Sequence, residues 1–192
     1  MKSTFTYLKN FIRDKNVASV TPSTRFCVKR TCKFIDFSQP RTILEFGPGT
    51  GVYTRYLLKR LRAGSELHAF ELNTEFVKKL KTINNEMLTV YEADAGRVSD
   101  LLPERYIGSV DYIISGIPFS FLDDTTRNTI LKTCYRYLHE GGAFLAYQTS
   151  GHLKEPLAAY FDEVKTEYEI LNIPPMMIYR AVKHPSTISN AT

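Results

Sequence analysis

Long apolar runs are what this 192-residue sequence most clearly lacks. None approaches the roughly 18 to 20 residues that a helix needs to cross a bilayer, so we expect no membrane-spanning segment. The first residues, "MKSTFTYLKN", contain no uninterrupted apolar stretch and no small-residue cleavage site, and they predict no secretory signal. With 43% hydrophobic and 23% charged residues, the composition is typical of a globular protein with one main domain, expected in the cytoplasm.

Cysteine is also scarce. Cys27, Cys32 and Cys134 are odd in number, and their spacing matches neither a metal knuckle nor a redox pair. We therefore expect reduced, partly buried thiols and no metal site.

Acidic residues are nearly missing from residues 1–42, which hold nine Lys and Arg against Asp14 and Asp36. The local net charge of +7 exceeds the +5 of the whole chain, so the remainder is slightly acidic. A basic segment ahead of a nearly neutral domain predicts an anionic partner, and nucleic acid and an acidic membrane surface are the two large candidates.

The start of the chain has the pattern of a basic amphipathic helix. Its apolar stripe consists of Phe5, Leu8, Phe11 and Ile12, and its cations are Lys2, Lys9 and Arg13. Such a helix can lie in a membrane interface, or it can pack across the domain's own core. Arg25, Lys29 and Lys33 follow at intervals of four and predict a basic face on a second helix. That face could meet lipid phosphate or simply be solvated.

From Arg41 onward, short apolar runs alternate with helical patterns. This alternation predicts an α/β doubly wound sheet, mostly parallel, with helices on both faces. Strands are predicted at 42–46, 66–72, 87–93, 110–115 and 142–148, and helices at 52–61, 74–83 and 125–138. The last two strands, "VKTEYEIL" and "MMIYRAVK", are separated only by "NIPP", which predicts an antiparallel closing pair. We divide the chain into a basic helical segment (1–40), a domain (41–184) and a tail expected to be disordered (185–192).

The stretch "EFGPGTGVYT" follows the first predicted strand, where doubly wound sheets bind ligands. Its glycines, Gly47, Gly49 and Gly51, have the spacing G-x-G-x-G instead of the G-x-G-x-x-G/A of a dinucleotide fingerprint. No Gly-Lys-Ser/Thr follows, as a phosphate loop would require. Glu45 would repel a pyrophosphate in a poorly screened cleft, but it would favour a ligand with an ammonium group. S-adenosylmethionine has an ammonium and a cationic sulfonium.

Two further acids follow the next predicted strands. Glu71, with Leu72 beside it, lies 20 residues after Gly51, where a carboxylate can accept from both ribose hydroxyls. Asp94 can accept from an adenine amino group while the backbone of Ala95 contacts the ring. Each acid taken alone could equally be a solvated residue at a strand end.

Together, "ILEFGPGTG", "FEL", "ADA" and "SGIPF" resemble the class I S-adenosylmethionine-dependent methyltransferases. The resemblance implies a Rossmann-like seven-stranded sheet with one antiparallel closing strand, S-adenosylmethionine as cofactor, S-adenosylhomocysteine as product, and no metal.

The loop "SGIPF" follows the fourth predicted strand, over the expected position of the transferred methyl. In the amino methyltransferases of this superfamily, a Pro-containing motif here holds the target nitrogen, which assigns that role to Ser115, Gly116, Ile117 and Pro118. The DNA and rRNA adenine enzymes have Asn or Asp first and an aromatic last, which stacks on the flipped base. This chain has Ser115 and Phe119, so the nucleotide version is only half present.

Both ends of the chain resemble the bacterial phospholipid N-methyltransferases, which convert phosphatidylethanolamine stepwise to phosphatidylcholine. The matching residues are Arg13, Asp14, Val17, Pro22, Ser23 and Arg25 in the leader, Ser115, Gly116 and Pro118 in the loop, and Asn172, Pro174, Pro175, Tyr179 and Arg180 near the end. The resemblance implies an aminolipid substrate, an anionic membrane partner at the inner face of the cell membrane, and no obligate protein partner. Phe119, Arg180 and the leader residues named above, Arg25 included, are the expected substrate or membrane contacts.

Catalysis requires an amine that has lost a proton, because the lone pair of an ammonium is occupied. Tyr179 or Tyr147 could orient this amine or pass its proton onward, by way of Ser115, and His152 is another candidate; the general base stays open.

Two alternatives stand beside the lipid enzyme. One is an RNA or small-molecule methyltransferase, although the rRNA dimethylases add a helical domain after the last strand. The other is a non-catalytic membrane-binding module, against which the intact cofactor residues argue.

Overall fold

A computed structural model describes residues 24–185. The strands are β1 Thr42–Phe46, β2 Glu66–Glu71, β3 Leu88–Glu92, β4 Val110–Ser115, β5 Leu138–Gln148, β6 Glu163–Glu169 and β7 Met176–Val182. The helices are α1 Arg25–Cys32, α2 Val52–Leu58, α3 Thr74–Lys81, α4 Val98–Leu101, α5 Asp124–Tyr137 and α6 Lys154–Ala158.

The seven strands form one sheet in the order β3-β2-β1-β4-β5-β7-β6. The pairs from β3 through β5 are parallel, and β7 runs antiparallel to both β5 and β6. The predicted doubly wound sheet and the antiparallel closing pair are therefore confirmed. Because β6 is antiparallel to β7, it runs parallel to β5, and its carboxyl end lies at the same sheet edge as the carboxyl ends of β1 to β5.

Helices cover both faces of the sheet because the buried strands are apolar on both sides. Neighbouring residues such as Ile43 and Leu44 point to opposite faces and belong to separate clusters of buried side chains. Helix α5 packs on one face through Leu131 and Cys134, and α1 packs on the other through Val28 and Cys32. Helix α1, from the predicted basic segment, thus shares the core of the domain that follows it.

Two predicted elements differ from the structure by three or more residues at one end, whereas the other bounds agree within two residues. Helix α2 ends at Leu58 instead of residue 61, although Leu61 remains buried. Strand β5 begins at Leu138 instead of residue 142, because α5 passes directly into a strand residue that pairs with Val110. A register shift follows this pair, around a glycine with φ of +89°, Gly141. The glycine pair made the start of this strand look like a turn.

The three cysteines are buried and unpaired, as expected of reduced thiols. Burial raises the pKa of the Cys32 and Cys134 thiols, which keeps both protonated. Across residues 24–185, every helix is too short or too polar to cross a membrane. In the same range no group of three or more His, Cys, Asp or Glu side chains could hold a metal ion.

Candidate cofactor and acceptor site

The glycine loop after β1 needs its glycines for backbone reasons. Gly47, Gly49 and Gly51 all have positive φ angles, +66°, +55° and +80°, which side chains other than glycine rarely adopt. A Cβ added at Gly51 would lie 2.9 Å from Leu80, so the loop is packed there. A Cβ at Gly49 would meet nothing within 4 Å, so open space lies in front of this glycine. The loop thus forms an open cradle at the carboxyl edge of the sheet.

Glu45 lies beneath this loop with only 2% of its surface exposed. Its Oε2 accepts a hydrogen bond from Thr54 Oγ1 at 2.8 Å, whereas its Oε1 is buried without a partner. Burial, opposed by the Thr54 hydrogen bond and reinforced by nearby Glu71, raises the pKa of Glu45 to about 8. A buried acceptor of this kind requires a donor, and the ammonium group of S-adenosylmethionine fits that requirement.

Glu71 ends β2 and ties the loop to its neighbours. Its Oε2 accepts from the Gly49 amide at 3.0 Å, and its Oε1 accepts from the Asn73 amide at 2.8 Å. Burial raises the pKa of this carboxyl although both amides favour its charged form. Each oxygen has a second lone pair, so Glu71 can accept ribose hydroxyls while it holds Gly49 in place.

Asp94 follows β3 and caps a short 3₁₀ turn, where its side chain accepts from the Gly96 amide at 2.8 Å. It is half-buried, and burial raises its pKa. Ala95 is buried beneath it, and Leu72 packs partly exposed against the same core cluster. The structure therefore brings Glu45, Glu71 and Asp94, with these two apolar neighbours, to one edge of the sheet.

The acceptor loop, residues 115–119, follows β4 directly beside the glycine loop. Ser115 is fully buried, and its Oγ accepts from the Ile117 amide at 3.3 Å. A Cβ added at Gly116 would lie 2.2 Å from the Tyr147 hydroxyl and 3.1 Å from the Gly47 carbonyl oxygen. Only glycine fits at this contact between the two loops.

Gln148 of β5 holds the acceptor loop, a role that was not predicted from the sequence. Its Nε2 donates to the carbonyls of Ile117 at 2.7 Å and Tyr147 at 2.9 Å, and its Oε1 accepts from the Phe119 amide at 3.2 Å. The available signal was a lone amide at the end of the apolar run "GAFLAY". A polar residue there has to find partners inside the protein.

Tyr147 brings its hydroxyl to Gly116 because its ring is fixed by stacking. The ring lies on Tyr53 at 4.4 Å between centroids with 7° between planes. The Tyr53 hydroxyl is in turn hydrogen-bonded to Thr31 and to Cys27 of α1. Helix α1 therefore supports the acceptor side of the site through two stacked aromatic rings.

Residues 43–142 match a protein family described as "Methyltransferase domain". The chain is a member of this methyltransferase family. The match covers β1 to the first part of β5, which contains the glycine loop, Glu71, Asp94 and the acceptor loop. The protein is an S-adenosylmethionine-dependent methyltransferase, in agreement with the predicted cofactor and enzyme class.

Several known proteins resemble this methyltransferase. An ornithine lipid N-methyltransferase from Singulisphaera acidiphila is 25% identical over 95% of this chain and 98% of its own. The ribosomal RNA small subunit methyltransferase A of Mycoplasma capricolum is 27% identical over 68% of this chain, which spans only 45% of that enzyme. The solved 1,6-didemethyltoxoflavin-N1-methyltransferase of Burkholderia thailandensis, with S-adenosylhomocysteine bound, has a TM-score of 0.66 at 17% identity over 95% of this chain and 87% of its own, and it shows the same fold.

Tyr179 of β7 lies in one cross-strand row with Ala146 and Ser115. The small alanine separates the two candidate residues, which face the same side of the sheet. Tyr179 is fully buried, and its hydroxyl donates to the Ser150 carbonyl at 3.1 Å. Burial raises the pKa of this phenol, so it is protonated near neutral pH. Its catalytic role stays a prediction, as does that of Ser115.

Phe119 lies elsewhere than expected. Its side chain is only 2% exposed and packs edge-to-face on Phe144, so the ring belongs to the core instead of a substrate-facing or membrane-facing surface. The Ile117 carbonyl and the Phe119 amide are both hydrogen-bonded to the buried Gln148, and these bonds hold this part of the loop against the core. Phe121, two residues after this loop, is 53% exposed.

The cations at the two ends of the chain differ in their surroundings. Arg25 is exposed and lies over the ring of Phe26. Arg180 is half-buried and paired with Glu163 at 2.8 Å. The remaining predicted contacts, Phe5, Leu8, Lys9, Phe11, Ile12 and Arg13, lie outside the described residues.

Proposed function

We propose that this methyltransferase transfers methyl groups to the amine of a lipid head group. The observation that carries the proposal is the end-to-end similarity to an ornithine lipid N-methyltransferase, of which the chain covers 98%. The similarity to the rRNA enzyme covers less than half of that protein. Phosphatidylethanolamine, methylated stepwise towards phosphatidylcholine, and ornithine lipid are both acceptors of the proposed class. We also propose an anionic membrane surface, the inner face of the cell membrane, as the place of work.

The acceptor loop supports an amine substrate over a nucleobase. Its first residue is Ser115 instead of the Asn or Asp of the adenine enzymes, and Phe119 is buried and cannot stack on a flipped base. The loop instead packs between Gly47 and the hydroxyl of Tyr147. Tyr147 is partly exposed, so its hydroxyl can contact a small amine.

The chemistry that S-adenosylmethionine supplies when bound is an electrophilic methyl on a sulfonium. The contributions of this chain are alignment and the removal of water, which together lower the barrier of an in-line displacement. The amine nitrogen forms the new bond with its lone pair, so its extra proton has to leave beforehand. Gly116 leaves room for the Tyr147 hydroxyl, Gln148 fixes the loop, and Tyr147 provides a hydroxyl that can orient the amine.

The test supplies methyl-labelled S-adenosylmethionine to the purified chain with four acceptors in parallel: phosphatidylethanolamine vesicles, ornithine lipid vesicles, small-subunit rRNA and a mixture of water-soluble amines. We expect label in at least one of the two lipids. Gly116→Ala serves as the control, because its Cβ would displace Tyr147, and it should lose most of the label. Label confined to RNA or to the soluble amines would contradict the proposal.

A further inference from the structure

The connection between β6 and β7, residues 170–175, exposes its apolar side chains and buries its polar one; we call it the hairpin tip. Ile170, Leu171 and Ile173 are 74%, 56% and 77% exposed. Asn172, in the middle of them, is 2% exposed. An ordinary surface turn has the opposite arrangement, and clustered exposed aliphatic residues mark an interaction site.

Buried polar groups hold the hairpin tip in this conformation. Asn172 Oδ1 accepts from the Thr24 amide at 2.9 Å, and its Nδ2 donates to the Pro174 carbonyl at 2.8 Å. Glu169, also 2% exposed, accepts from the Leu171 amide at 2.8 Å and from Arg30 at 2.7 Å. The exposure of the aliphatic residues is therefore built into the fold.

The hairpin tip lies at the edge of the sheet where the site opens. Strand β6 runs parallel to β5, so its carboxyl end faces the same way as those of β1 and β4. Three strand spacings separate β4 from β6, which is roughly 14 Å. A surface that contacts the tip would therefore lie along the sheet edge that carries the acceptor loop.

Cations stand next to the hairpin tip. Helix α1 begins beside it, because the hydrogen bond from Thr24 to Asn172 joins the two. Arg25 and Lys29 lie one helical turn apart on α1 and are both exposed, and Phe26 between them is 40% exposed. Aliphatic side chains flanked by cations complement the interface of an anionic bilayer, with apolar groups below the phosphates and cations beside them.

We propose that the hairpin tip inserts into the interface of an anionic lipid bilayer while Arg25 and Lys29 bind lipid phosphates. This contact would place the acceptor loop within reach of head-group amines. The inference rests on the proposed function for the identity of the surface, since an enzyme acting on lipid amines has to dock where lipids are.

The test measures sedimentation of the full chain with phosphatidylcholine/phosphatidylglycerol vesicles, which contain no substrate amine. We expect the double substitution Ile170→Ser/Ile173→Ser to lower the partition coefficient by about tenfold or more, since two aliphatic side chains no longer enter the interface. Ile170→Val/Ile173→Val is the matched control and should bind as the unmodified chain does. Arg25→Ser/Lys29→Ser should weaken binding to anionic vesicles, and Lys59→Ser/Lys81→Ser, with the same loss of charge at the opposite sheet edge, should not.

Three results would overturn the inference. Serine variants that bind vesicles like the unmodified chain show that the tip does not dock there. Loss of a concentration-dependent dimer in sedimentation velocity, with vesicle binding intact, makes the tip an interface between copies. A lower melting temperature with vesicle binding intact means that the chain's own residues 1–23 cover the tip.

Failure of this inference is distinguishable from failure of the proposed function. Vesicle binding uses lipids without an acceptor amine, whereas the methylation assay reports the acceptor. Lipid methylation with unaffected tip variants leaves the function and removes the docking site. Tip-dependent vesicle binding without lipid methylation supports the docking site and contradicts the proposed function.

Discussion

Gly49 and Gly108 share a positive φ, +55° and +69°, and a Cβ at either would meet nothing within 4 Å. Only Gly49 faces the cofactor cradle. We expect Gly49→Ala and Gly108→Ala to cost similar stability, about 1 to 2 kcal/mol each, because alanine is strained in the left-handed region. Only Gly49→Ala should raise the KM for S-adenosylmethionine, by about tenfold, since its methyl group fills space that the cofactor needs. Urea unfolding measures the stability of both variants, and initial rates give their KM for S-adenosylmethionine. Equal KM values for Gly49→Ala and Gly108→Ala would contradict the placement of the cofactor beside Gly49.

The carboxyl of Glu45 should make stability depend on pH in the absence of cofactor. Its pKa is about 8 in the folded chain, above its ordinary value of 4.5, so the folded state binds this proton more tightly than the unfolded state. The free energy of unfolding should therefore be highest below about pH 4.5 as far as this group is concerned, fall as the pH rises, and level off above about pH 8. The loss amounts to roughly 3 to 5 kcal/mol.

The check on Glu45 compares the unmodified chain with Glu45→Gln, which keeps the shape and cannot ionise. Denaturant unfolding is measured from pH 5 to pH 9, and the difference between the two curves isolates the contribution of this carboxyl. Parallel curves would mean that Glu45 is already ionised in the folded chain.

Gln148 is the residue whose loss should separate acceptor handling from cofactor binding. Gln148→Leu leaves the Phe119 amide and the Ile117 carbonyl without buried partners, which should cost about 2 to 3 kcal/mol of stability. We expect kcat to fall by about tenfold or more while the KM for S-adenosylmethionine changes little, because only the acceptor loop moves. Gln148→Glu retains the acceptor for Phe119 but places a buried carboxyl oxygen against the Ile117 and Tyr147 carbonyls, so kcat should fall for this variant too. An equal rise in the KM for S-adenosylmethionine and the KM for the acceptor would contradict a role of Gln148 limited to the acceptor side.

At the scale of elements, helix α1 is attached to the closing strands by ion pairs of unequal burial. Arg30 pairs with Glu169, which is 2% exposed, whereas Lys33 pairs with Glu167, which is 31% exposed. We expect Arg30→Met to lower the free energy of unfolding by about 1 to 3 kcal/mol, since it leaves the buried Glu169 carboxylate without its charged partner. Lys33→Met should cost less than about 1 kcal/mol. Urea unfolding at pH 7 measures both, and equal costs would contradict the difference in burial.

The Arg30 effect should also depend on pH. Burial acts to raise the pKa of Glu169, but the hydrogen bonds from Arg30 and the Leu171 amide outweigh it and hold that pKa below its ordinary value. The stabilisation is therefore present above the ordinary pKa of glutamate and is lost as the pH falls through the folded value. The difference between the unmodified chain and Arg30→Met should narrow in acid.

For the whole molecule, ligand binding should appear as stability. S-adenosylhomocysteine at about 100 times its Kd should add about 2.7 kcal/mol to the free energy of unfolding. For a chain of this size that corresponds to a rise in Tm of about 5 to 10 °C. Thermal unfolding with increasing ligand measures the rise, with adenosine as the control that lacks the amino-acid end. An equal rise with adenosine at the same concentration would show that the proposed ammonium site at Glu45 contributes nothing to affinity.

Much of the fold was predictable because its signals are local. The apolar run "TILEF" and the alternation of strands and helices specify a parallel sheet, and β1 and β4 have the predicted boundaries. The predicted cofactor residues were accessible for the same reason, since Glu45 lies in β1, Glu71 ends β2 and Asp94 follows β3, and the pattern locates all three strands. The start of β5 was predicted too late because the cross-strand partner of Leu138 is Val110, which the local pattern does not reveal.

By itself, the sequence determined the sheet, the place of the glycine loop and the enzyme class, because strand periodicity and turn chemistry act over a few residues. Only the tertiary structure decided that Phe119 turns into the core, that Gln148 holds the acceptor loop, and that Arg30 reaches Glu169 across 139 residues of chain. It also decided that Asn172 is buried while its aliphatic neighbours are exposed. These outcomes depend on which buried polar group finds a partner, and those partners come together only when distant strands pack.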